Sequence, residues 1–363
     1  KYLLHADRLR ALAAGEDICP VTVEIDPISY CNHKCNWCVD PRHGRAALPV
    51  DVAQRLLEEL RELGVHGIVY KGGGEPTLHE AFPKFLEHAQ KLAFEVGVVT
   101  NGSRLRELAE AVATHAGYVR VSIDGPTAAS HAAVHGQQDF DRILDGVEKL
   151  VACRNGRRHP VIGLSFAMDF RVIDLVGAAV ELGDRLGVDY VLLRTPFFEE
   201  VGRMPTMSLA QTRAVRETFE SVQRAFRGGM RVLVDHWVSD AEAAESGCRT
   251  PASPRRGRFL KRGANGIEHV TGSCWASPLL AVVTADQVVY PCCNLRALDE
   301  WAIGRIDYPA DVDFQSIWEG ARHREVMAAI HRAACLRHCT HPLSKYNEAI
   351  EYLRGPKYHG GFL

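Results

Sequence analysis

Three cysteines near the start of the chain have the type and spacing of metal ligands. Cys31, Cys35 and Cys38 form a C-x3-C-x2-C set directly after an apolar run. Three thiolates suit a soft metal or an iron–sulfur cluster, whereas a structural zinc ion needs a fourth ligand. His33 could supply that ligand, so zinc is the alternative. The position of the set after a predicted strand favours a cluster.

Glycines and a carboxylate follow the second predicted strand. They are Gly72, Gly73, Gly74 and Glu75. Glycines let the backbone approach a ligand closely, and the carboxylate can pair with an ammonium group. A simple turn is the alternative for such a glycine run.

A second candidate site lies in the last quarter of the chain. Its predicted ligands are Cys274, Cys292, Cys335 and Cys339. Cys335 and Cys339 are four residues apart and would share one face of a helix. Cys293 or His338 could replace one of these ligands, and a zinc ribbon-like site is the alternative to a cluster.

The composition excludes two classes of partner. Lys and Arg total 43 against 45 Asp and Glu, so no net field attracts nucleic acid. No apolar run approaches the roughly 18 residues of a membrane span, and the one local basic patch lies within residues 255–262. The first 20 residues mix charges unlike a secretory signal, and the eleven cysteines are an odd number. We therefore expect a cytoplasmic protein without a disulfide framework.

The elements that must position these residues alternate between strands and helices. The predicted strands are 22–27, 67–73, 95–102, 118–125, 162–169 and 189–196. Residues 50–64 and 82–93 place apolar side chains at helical spacing between them. This α/β pattern predicts a partial (β/α)6 barrel, with its site at the carboxyl ends of the strands.

The sequence pattern after residue 200 predicts a smaller α+β unit. A helix is expected over 208–226, a strand over 230–238, a hairpin over 279–293 and a helix over 314–334. The Pro- and Arg-rich segment that ends at residue 262 is predicted to be a linker. The predicted divisions are 1–20 (N-terminal segment), 21–200 (barrel), 201–262 (bridge and linker), 263–345 (cysteine-containing domain) and 346–363 (tail).

The cysteine motif and the glycine loop resemble those of the radical S-adenosylmethionine (SAM) superfamily. The resemblance implies that Cys31, Cys35 and Cys38 hold three irons of a [4Fe–4S] cluster, and that SAM binds the fourth. It further implies reductive cleavage of SAM to a 5′-deoxyadenosyl radical, with a reductant such as flavodoxin or ferredoxin. The cofactor carries this chemistry, while the protein orients it and excludes water.

The same resemblance assigns residues to the SAM pocket. Trp37 would lie beside the adenine, and the loop of Gly72, Gly73, Gly74 and Glu75 would hold the methionine amino group. Ribose and carboxylate contacts are expected from Thr100, Asn101, Ser122 and Asp124. Arg194, at the end of the sixth strand, would recognise the SAM carboxylate or a substrate oxygen. Strand-terminal turns and a solvated arginine are the alternatives.

The C-terminal cysteines resemble the opening of the SPASM and twitch auxiliary-cluster domains. Gln287 stands where that pattern usually has a glycine. The four-cysteine count implies the shorter twitch form with one auxiliary [4Fe–4S] cluster, so two clusters in all.

This arrangement resembles radical dehydrogenases of sugars and aminocyclitols from antibiotic pathways, such as 2-deoxy-scyllo-inosamine dehydrogenase. It implies oxidation of an alcohol on a small polyhydroxylated molecule, with the auxiliary cluster as electron acceptor. Tyr70, Asp169, Arg171 and Glu199 are polar candidates for the substrate pocket. An epimerase that uses Cys248 as hydrogen donor is one alternative. The other is a peptide-modifying enzyme whose substrate docks on the basic patch.

Overall fold

The structure is a computed structural model. It describes residues 2–38, 44–195, 207–235, 259–263, 266–270, 274–293, 295–296 and 298–333, with 346, 350 and 353–354. Five residues named above lie outside the described residues: Glu199, Cys248, Cys335, His338 and Cys339. So does residue range 255–258 of the basic patch, and the domain divisions stay a prediction.

Twelve strands are described. They are β1 (Thr22–Ile25), β2 (Gly67–Tyr70), β3 (Glu95–Thr100), β4 (Tyr118–Ser122), β5 (Val161–Ala167), β6 (Tyr190–Arg194), β7 (Arg231–Asp235), β8 (Phe259–Gly263), β9 (Gly266–Val270), β10 (Leu280–Val283), β11 (Val288–Tyr290) and β12 (Gly304–Arg305).

Ten α-helices are described within the same residues. They are α1 (Ala6–Ala14), α2 (Val50–Glu62), α3 (Phe82–Lys91), α4 (Leu105–His115), α5 (Ala128–His135), α6 (Phe140–Arg154), α7 (Val176–Arg185), α8 (Leu209–Ala225), α9 (Phe314–Trp318) and α10 (Ala321–Ala333). Short 3-10 helices include Pro76–Leu78 and Ser277–Leu279. None of the described helices combines the length and the apolar character that crossing a membrane requires.

The predicted α/β partial barrel is confirmed, and its sheet is wider than predicted. Strands β1 to β7 are parallel neighbours in sequence order. At the other edge β10 pairs with β1 in parallel, and β11 and β12 continue the sheet antiparallel. The predicted hairpin therefore belongs to the same ten-stranded sheet as the barrel.

Helix periodicity explains the outer layer of the barrel. In α2 the residues at helical spacing, Leu56, Leu57 and Leu60, are fully buried. Phe82, Phe85 and Leu86 of α3 are buried in the same core cluster. Such stripes cover the outer face of the strands and remove apolar surface from water.

Glycines make room for tyrosine rings within the sheet. A Cβ atom added at Gly97 of β3 would overlap the ring of Tyr118 on β4. One added at Gly163 of β5 would overlap the ring of Tyr190 on β6. The missing side chains therefore let two large rings lie across neighbouring strands.

Several element boundaries differ from the predictions. The strands end two to three residues earlier than predicted, because their final polar residues belong to the site loops. The helix expected over 314–334 is broken, since Gly320 lies between α9 and α10 and its amide donates to the Ile317 carbonyl. The end of the predicted linker forms strand β8, which pairs with β9.

Candidate active site

The cysteine loop follows β1 and is partly buried. The His33 amide donates to Cys31 Sγ at 3.4 Å, and the Cys38 amide donates to the Cys35 carbonyl at 3.3 Å. Burial raises the pKa of Cys31 to about 11 and also raises that of Cys35. Nearby iron would oppose this effect by favouring the thiolates, which are the form that binds a metal.

Asn101 connects the cysteine loop to the loop after β3. Its Nδ2 donates to Asn32 Oδ1 at 2.9 Å, and its Oδ1 accepts from the Ser103 amide at 2.9 Å. Asn32 Nδ2 in turn donates to Ser103 Oγ at 3.0 Å. Asn101 Nδ2 also lies 4.0 Å from Cys31 Sγ. The amide side chain of Asn101 is thus engaged in positioning the loop.

Glu75 is a buried hub between two site loops. Its carboxylate accepts from the amide and hydroxyl of Thr77, from Thr100 Oγ1 at 2.5 Å and from the Asn101 amide at 2.7 Å. Burial raises the pKa of Glu75, and these hydrogen bonds oppose the shift. Both carboxylate oxygens have partners inside the protein, so Glu75 joins the loops after β2 and β3.

The glycine beside Glu75 is required by close backbone approach. A Cβ atom at Gly74 would overlap the carbonyl oxygen of Tyr30 and lie 2.5 Å from that of Ile28. The Glu75 amide donates to the same Tyr30 carbonyl at 2.9 Å. Any larger residue at position 74 would separate the glycine loop from the segment that leads into the cysteines.

Asp124 joins the loop after β4 to Trp37. Its Oδ2 accepts from Trp37 Nε1 at 3.3 Å and from His135 Nε2 at 3.2 Å, and its Oδ1 accepts from the Ala167 amide at 2.7 Å. Burial raises its pKa, but the hydrogen bond from His135 and the other partners outweigh burial, and the net shift is downward. Asp124 is therefore an ionised acceptor that orients Trp37.

Three histidines meet beside Cys35, and sequence reasoning left out two of them, His131 and His135. His135 Nδ1 lies 2.9 Å from His33 Nδ1 and 3.3 Å from Cys35 Sγ. His131 and His135 stack at 4.4 Å between ring centroids. The spacing of four residues on α5 was the signal that could have found this pair. His33 is directed at His135 and Asp139, so the three cysteines lack it as a fourth zinc ligand.

Sequence reasoning also left out Asp26 and Arg296, a pair that connects the glycine loop to the C-terminal hairpin. Arg296 Nη1 donates to Asp26 Oδ1 at 3.1 Å, and Nη2 donates to the Gly72 carbonyl at 3.2 Å. Asp26 Oδ2 accepts from the Gly73 amide at 3.1 Å. The two side chains are 3% and 5% exposed. Burial raises the pKa of Asp26 to about 6, although Arg296 opposes the shift.

Charged side chains cluster at the strand ends of the barrel. Lys71 Nζ pairs with Glu24 at 2.9 Å. Burial and the neighbouring Arg120 lower the pKa of Arg194, while Asp124 opposes them. Strand alternation puts Ser122 on the same face of β4 as Arg120, opposite the buried Val119 and Val121.

One predicted pocket residue is misplaced. Tyr70 is 1% exposed, donates to the Phe85 carbonyl and packs on Phe82, because the alternation of β2 turns it toward the outer helices. The prediction that Tyr70 lines the substrate pocket is therefore wrong. Asp169 and Arg171 do follow β5, where they pair with each other at 2.9 Å.

Two of the four predicted auxiliary ligands are described. Cys274 is buried before the hairpin, and Cys292 follows β11. Gln287 adopts a φ of +69°, the left-handed conformation that favours glycine, which is the residue usual at this position in the resembled pattern. The hairpin is confirmed by the antiparallel pairing of β10 and β11.

The residues fit the implied cofactors in part. Three sulfur donors in one partly buried loop suit an iron–sulfur cluster, and the imidazole that would favour zinc is engaged elsewhere. The close packing at Gly74 brings the glycine loop against the segment that leads into the cysteines. At the C-terminal site, half of the donor set lies within the described residues.

Residues 25–162 match the family model described as the Radical SAM superfamily. The matched residues include the three-cysteine loop, the glycine loop and strands β2 to β4 of the partial barrel.

Three curated relatives give more detail. The chain is 27% identical over 173 residues to the probable GTP 3′,8-cyclase of Thermococcus kodakarensis, which is 45% of this chain and 55% of that protein. It is 30% identical over 139 residues to mycofactocin maturase MftC of Mycolicibacterium smegmatis, 36% and 34% of the two chains. It is 29% identical over 240 residues to the PqqA peptide cyclase of Rhodopseudomonas palustris, 62% and 60%. In each case it spans less than two thirds of the relative.

Two solved structures have a similar fold. Streptococcus suis SuiB bound to precursor peptide SuiA aligns over 88% of this chain and 68% of its own, with a TM-score of 0.64 and 14% identity. Native anSMEcpe with bound AdoMet and Kp18Cys peptide aligns over 92% and 96%, with a TM-score of 0.62 and 17% identity.

Proposed function

We propose that this chain is a radical SAM enzyme that binds SAM and a [4Fe–4S] cluster and modifies a peptide, with a second [4Fe–4S] cluster beside the barrel. The match to the PqqA peptide cyclase supports this proposal, because its 240 residues extend beyond the 138 residues of the superfamily match, 25–162. The similarity to mycofactocin maturase points in the same direction. The expectation of an aminocyclitol dehydrogenase has no comparable support from these relatives.

The observation that carries the proposal is the attachment of the C-terminal hairpin to the barrel. Strand β10 extends the sheet at β1, and Arg296 reaches Asp26 and the Gly72 carbonyl. A cluster held by Cys274, Cys292, Cys335 and Cys339 would involve the hairpin of β10 and β11. That hairpin pairs with β1, the strand that leads to the cysteine loop. Cys293, the residue after Cys292, is an alternative ligand.

The chemistry that a bound cluster and SAM would supply is the formation of a 5′-deoxyadenosyl radical, which abstracts hydrogen. Cys31, Cys35 and Cys38 would hold this cluster. Glu75 and Asn101 would act as positioning residues, because hydrogen bonds inside the protein already occupy their side chains.

The remaining predicted pocket residues also divide into positioning residues and residues that would contact a ligand. Asp124 would orient Trp37 against the adenine, and Thr100 would support Glu75. Ser122 and Arg194 lie at the carboxyl ends of β4 and β6, where parallel barrels bind ligands, and would contact SAM or substrate.

Oxidation of a small polyhydroxylated substrate is the second candidate. The charged groups at the barrel mouth favour it, because Lys71, Arg120 and Arg194 could donate to hydroxyl or carboxylate oxygens. Epimerisation through Cys248 concerns a residue outside the described ranges.

The test uses the anaerobically reconstituted full chain with SAM and a chemical reductant. The probes are synthetic peptides encoded by short reading frames beside the gene and, separately, 2-deoxy-scyllo-inosamine. We expect a peptide to raise 5′-deoxyadenosine formation and to change mass, while the Cys31→Ala/Cys35→Ala/Cys38→Ala protein does neither. Loss of two hydrogens from the aminocyclitol, with every peptide unchanged, would overturn the proposal in favour of the second candidate.

A further inference from the structure

Two histidines and one carboxylate converge beneath the cysteine loop, and the proposed function gives them no task. His33 belongs to that loop, His131 lies on α5, and Asp139 directly precedes α6. His33 Nε2 is 2.9 Å from Asp139 Oδ2, and His131 Nε2 is 3.2 Å from Asp139 Oδ1. The two imidazole side chains are 0% exposed, and the carboxylate is 20% exposed.

When the His131 ring is neutral, the group that faces its Nε2 is an acceptor rather than a hydrogen-bond donor. Its Nδ1 lies 2.8 Å from the Ile123 carbonyl oxygen, which only accepts, so Nδ1 carries the hydrogen. Nε2 then presents a lone pair. The group that faces this lone pair is an oxygen of Asp139, which is another acceptor.

The hydrogen-bond roles of the His33 nitrogens follow from those of the neighbouring His135. His135 Nε2 faces Asp124, a carboxylate, so in a neutral ring His135 carries its hydrogen there and its Nδ1 accepts. The His33 Nδ1, at 2.9 Å, must then donate, and His33 Nε2 has a lone pair. That lone pair also faces Asp139. Two mismatched contacts therefore meet on one carboxylate.

The position of Asp139 adds an independent observation. Aspartate before a helix usually accepts hydrogen bonds from the first-turn amides, but here the Asp139 side chain makes no such cap. Both of its oxygens are directed at the two imidazoles instead. Its side chain thus faces the histidine pair and leaves the start of α6 without a side-chain cap.

We propose that four donor atoms, His33 Nε2, His131 Nε2 and both carboxylate oxygens of Asp139, bind one divalent metal ion of the zinc type. Imidazole nitrogen and carboxylate oxygen are ordinary zinc ligands, and the ion would convert both mismatched contacts into coordination. The outer hydrogen bonds to the Ile123 carbonyl and to His135 are the kind that orient ligating histidines. A dication also balances the charges of Asp124 and Asp139.

The ion is structural in this proposal and separate from the cysteine-bound cluster. It joins the cysteine loop to α5 and to the start of α6, so it would hold the loop in shape before and after cluster assembly.

The experiment measures zinc and iron in the full chain, expressed in zinc-supplemented medium and purified anaerobically. The variants are Asp139→Asn and His131→Gln, which leave every cysteine in place, and the control is His88→Gln on the outer helix α3. We expect both variants to lose about one equivalent of zinc relative to wild type, while the control retains it. Their thermal midpoints should fall and should no longer respond to added zinc.

Cobalt titration of metal-depleted wild-type protein keeps the proposal testable if a variant fails to fold. Co²⁺ should produce d–d absorption bands of nitrogen and oxygen ligands in addition to any thiolate charge transfer from the cysteines, since the proposed ligands contain no sulfur. Wild-type protein that retains no zinc and develops only thiolate-type cobalt spectra would overturn the proposal. Equal zinc in wild type and both variants would do the same. The result is independent of the substrate, so failure of the peptide assay leaves it unaffected.

Discussion

The cysteine loop and the C-terminal hairpin both depend on β1, but they are attached in different ways. Side chains of neighbouring loops hold the cysteine loop: Asn101 bonds Asn32, and Asp124 bonds Trp37. The hairpin is attached mainly by backbone, through the parallel pairing of β10 with β1. Its principal side-chain connection is the pair of Arg296 and Asp26.

This difference indicates where each region is vulnerable. The cysteine loop has many polar contacts, so a single substitution there leaves most of the loop in place. The hairpin has regular backbone hydrogen bonds, which persist when a side chain is changed. The buried pair of Arg296 and Asp26, in contrast, is lost when either side chain is replaced. The pairing of β10 with β1 therefore determines where the hairpin lies. Arg296 links that region to the glycine loop through the Gly72 carbonyl.

The largest effect is expected from removal of all three loop cysteines. The Cys31→Ala/Cys35→Ala/Cys38→Ala protein should lose about four irons per chain and all SAM cleavage, because each cluster of this type holds four. Iron analysis and 5′-deoxyadenosine formation measure this. Cys153→Ala, on α6, is the control and should keep both. An unchanged iron content would place the SAM-cleaving cluster elsewhere.

The next effect concerns the ion pair that connects the two regions. Arg296→Met should destabilise the chain by about 3–5 kcal/mol, since it leaves the Asp26 carboxylate buried without its cation. Anaerobic urea unfolding measures the loss. The matched variant Asp26→Asn/Arg296→Met removes both charges and should recover much of it. Equal unfolding free energies for wild type and Arg296→Met would mean that backbone pairing alone holds the hairpin.

The sequence predicted what depends on local spacing. The three cysteines, the glycine loop and the six barrel strands follow from short motifs and periodicity, and the structure has all of them. Asp26 and Arg296 are 270 positions apart, and no pattern within either segment relates them. The roles of Glu75 and Asp124 also needed coordinates, because a carboxylate at a strand end looks the same whether it faces a ligand or four internal donors.

The glycine loop provides a smaller test on the cysteine side. Gly74→Ala should cost about 1–3 kcal/mol, because the added methyl group meets two backbone carbonyls and the loop must move. SAM binding should weaken with it, as measured by equilibrium titration. Gly177→Ala on α7 is the matched control: nothing lies within 4 Å of its added Cβ, and alanine should raise helix stability by about 0.5–1 kcal/mol. Equal SAM affinity in both variants would contradict the close approach.

The smallest effect is the pH dependence that the Asp26 carboxyl group contributes to stability, and Asp26→Asn isolates it. Burial raises the Asp26 pKa to about 6 in the folded chain from its ordinary value of 3.8. Between these values the folded state binds more protons than the unfolded state, so the contribution of Asp26 to stability is greatest below about pH 4 and falls as the pH rises through 6. Asparagine does not titrate. The unfolding free energy of wild type minus that of Asp26→Asn should therefore decrease from pH 5 to pH 7.5, by up to the order of 2 kcal/mol. Anaerobic urea unfolding at both pH values measures the difference. A difference that increases with pH would mean that Arg296 outweighs burial, and that the ionised pair itself stabilises the junction of hairpin and barrel.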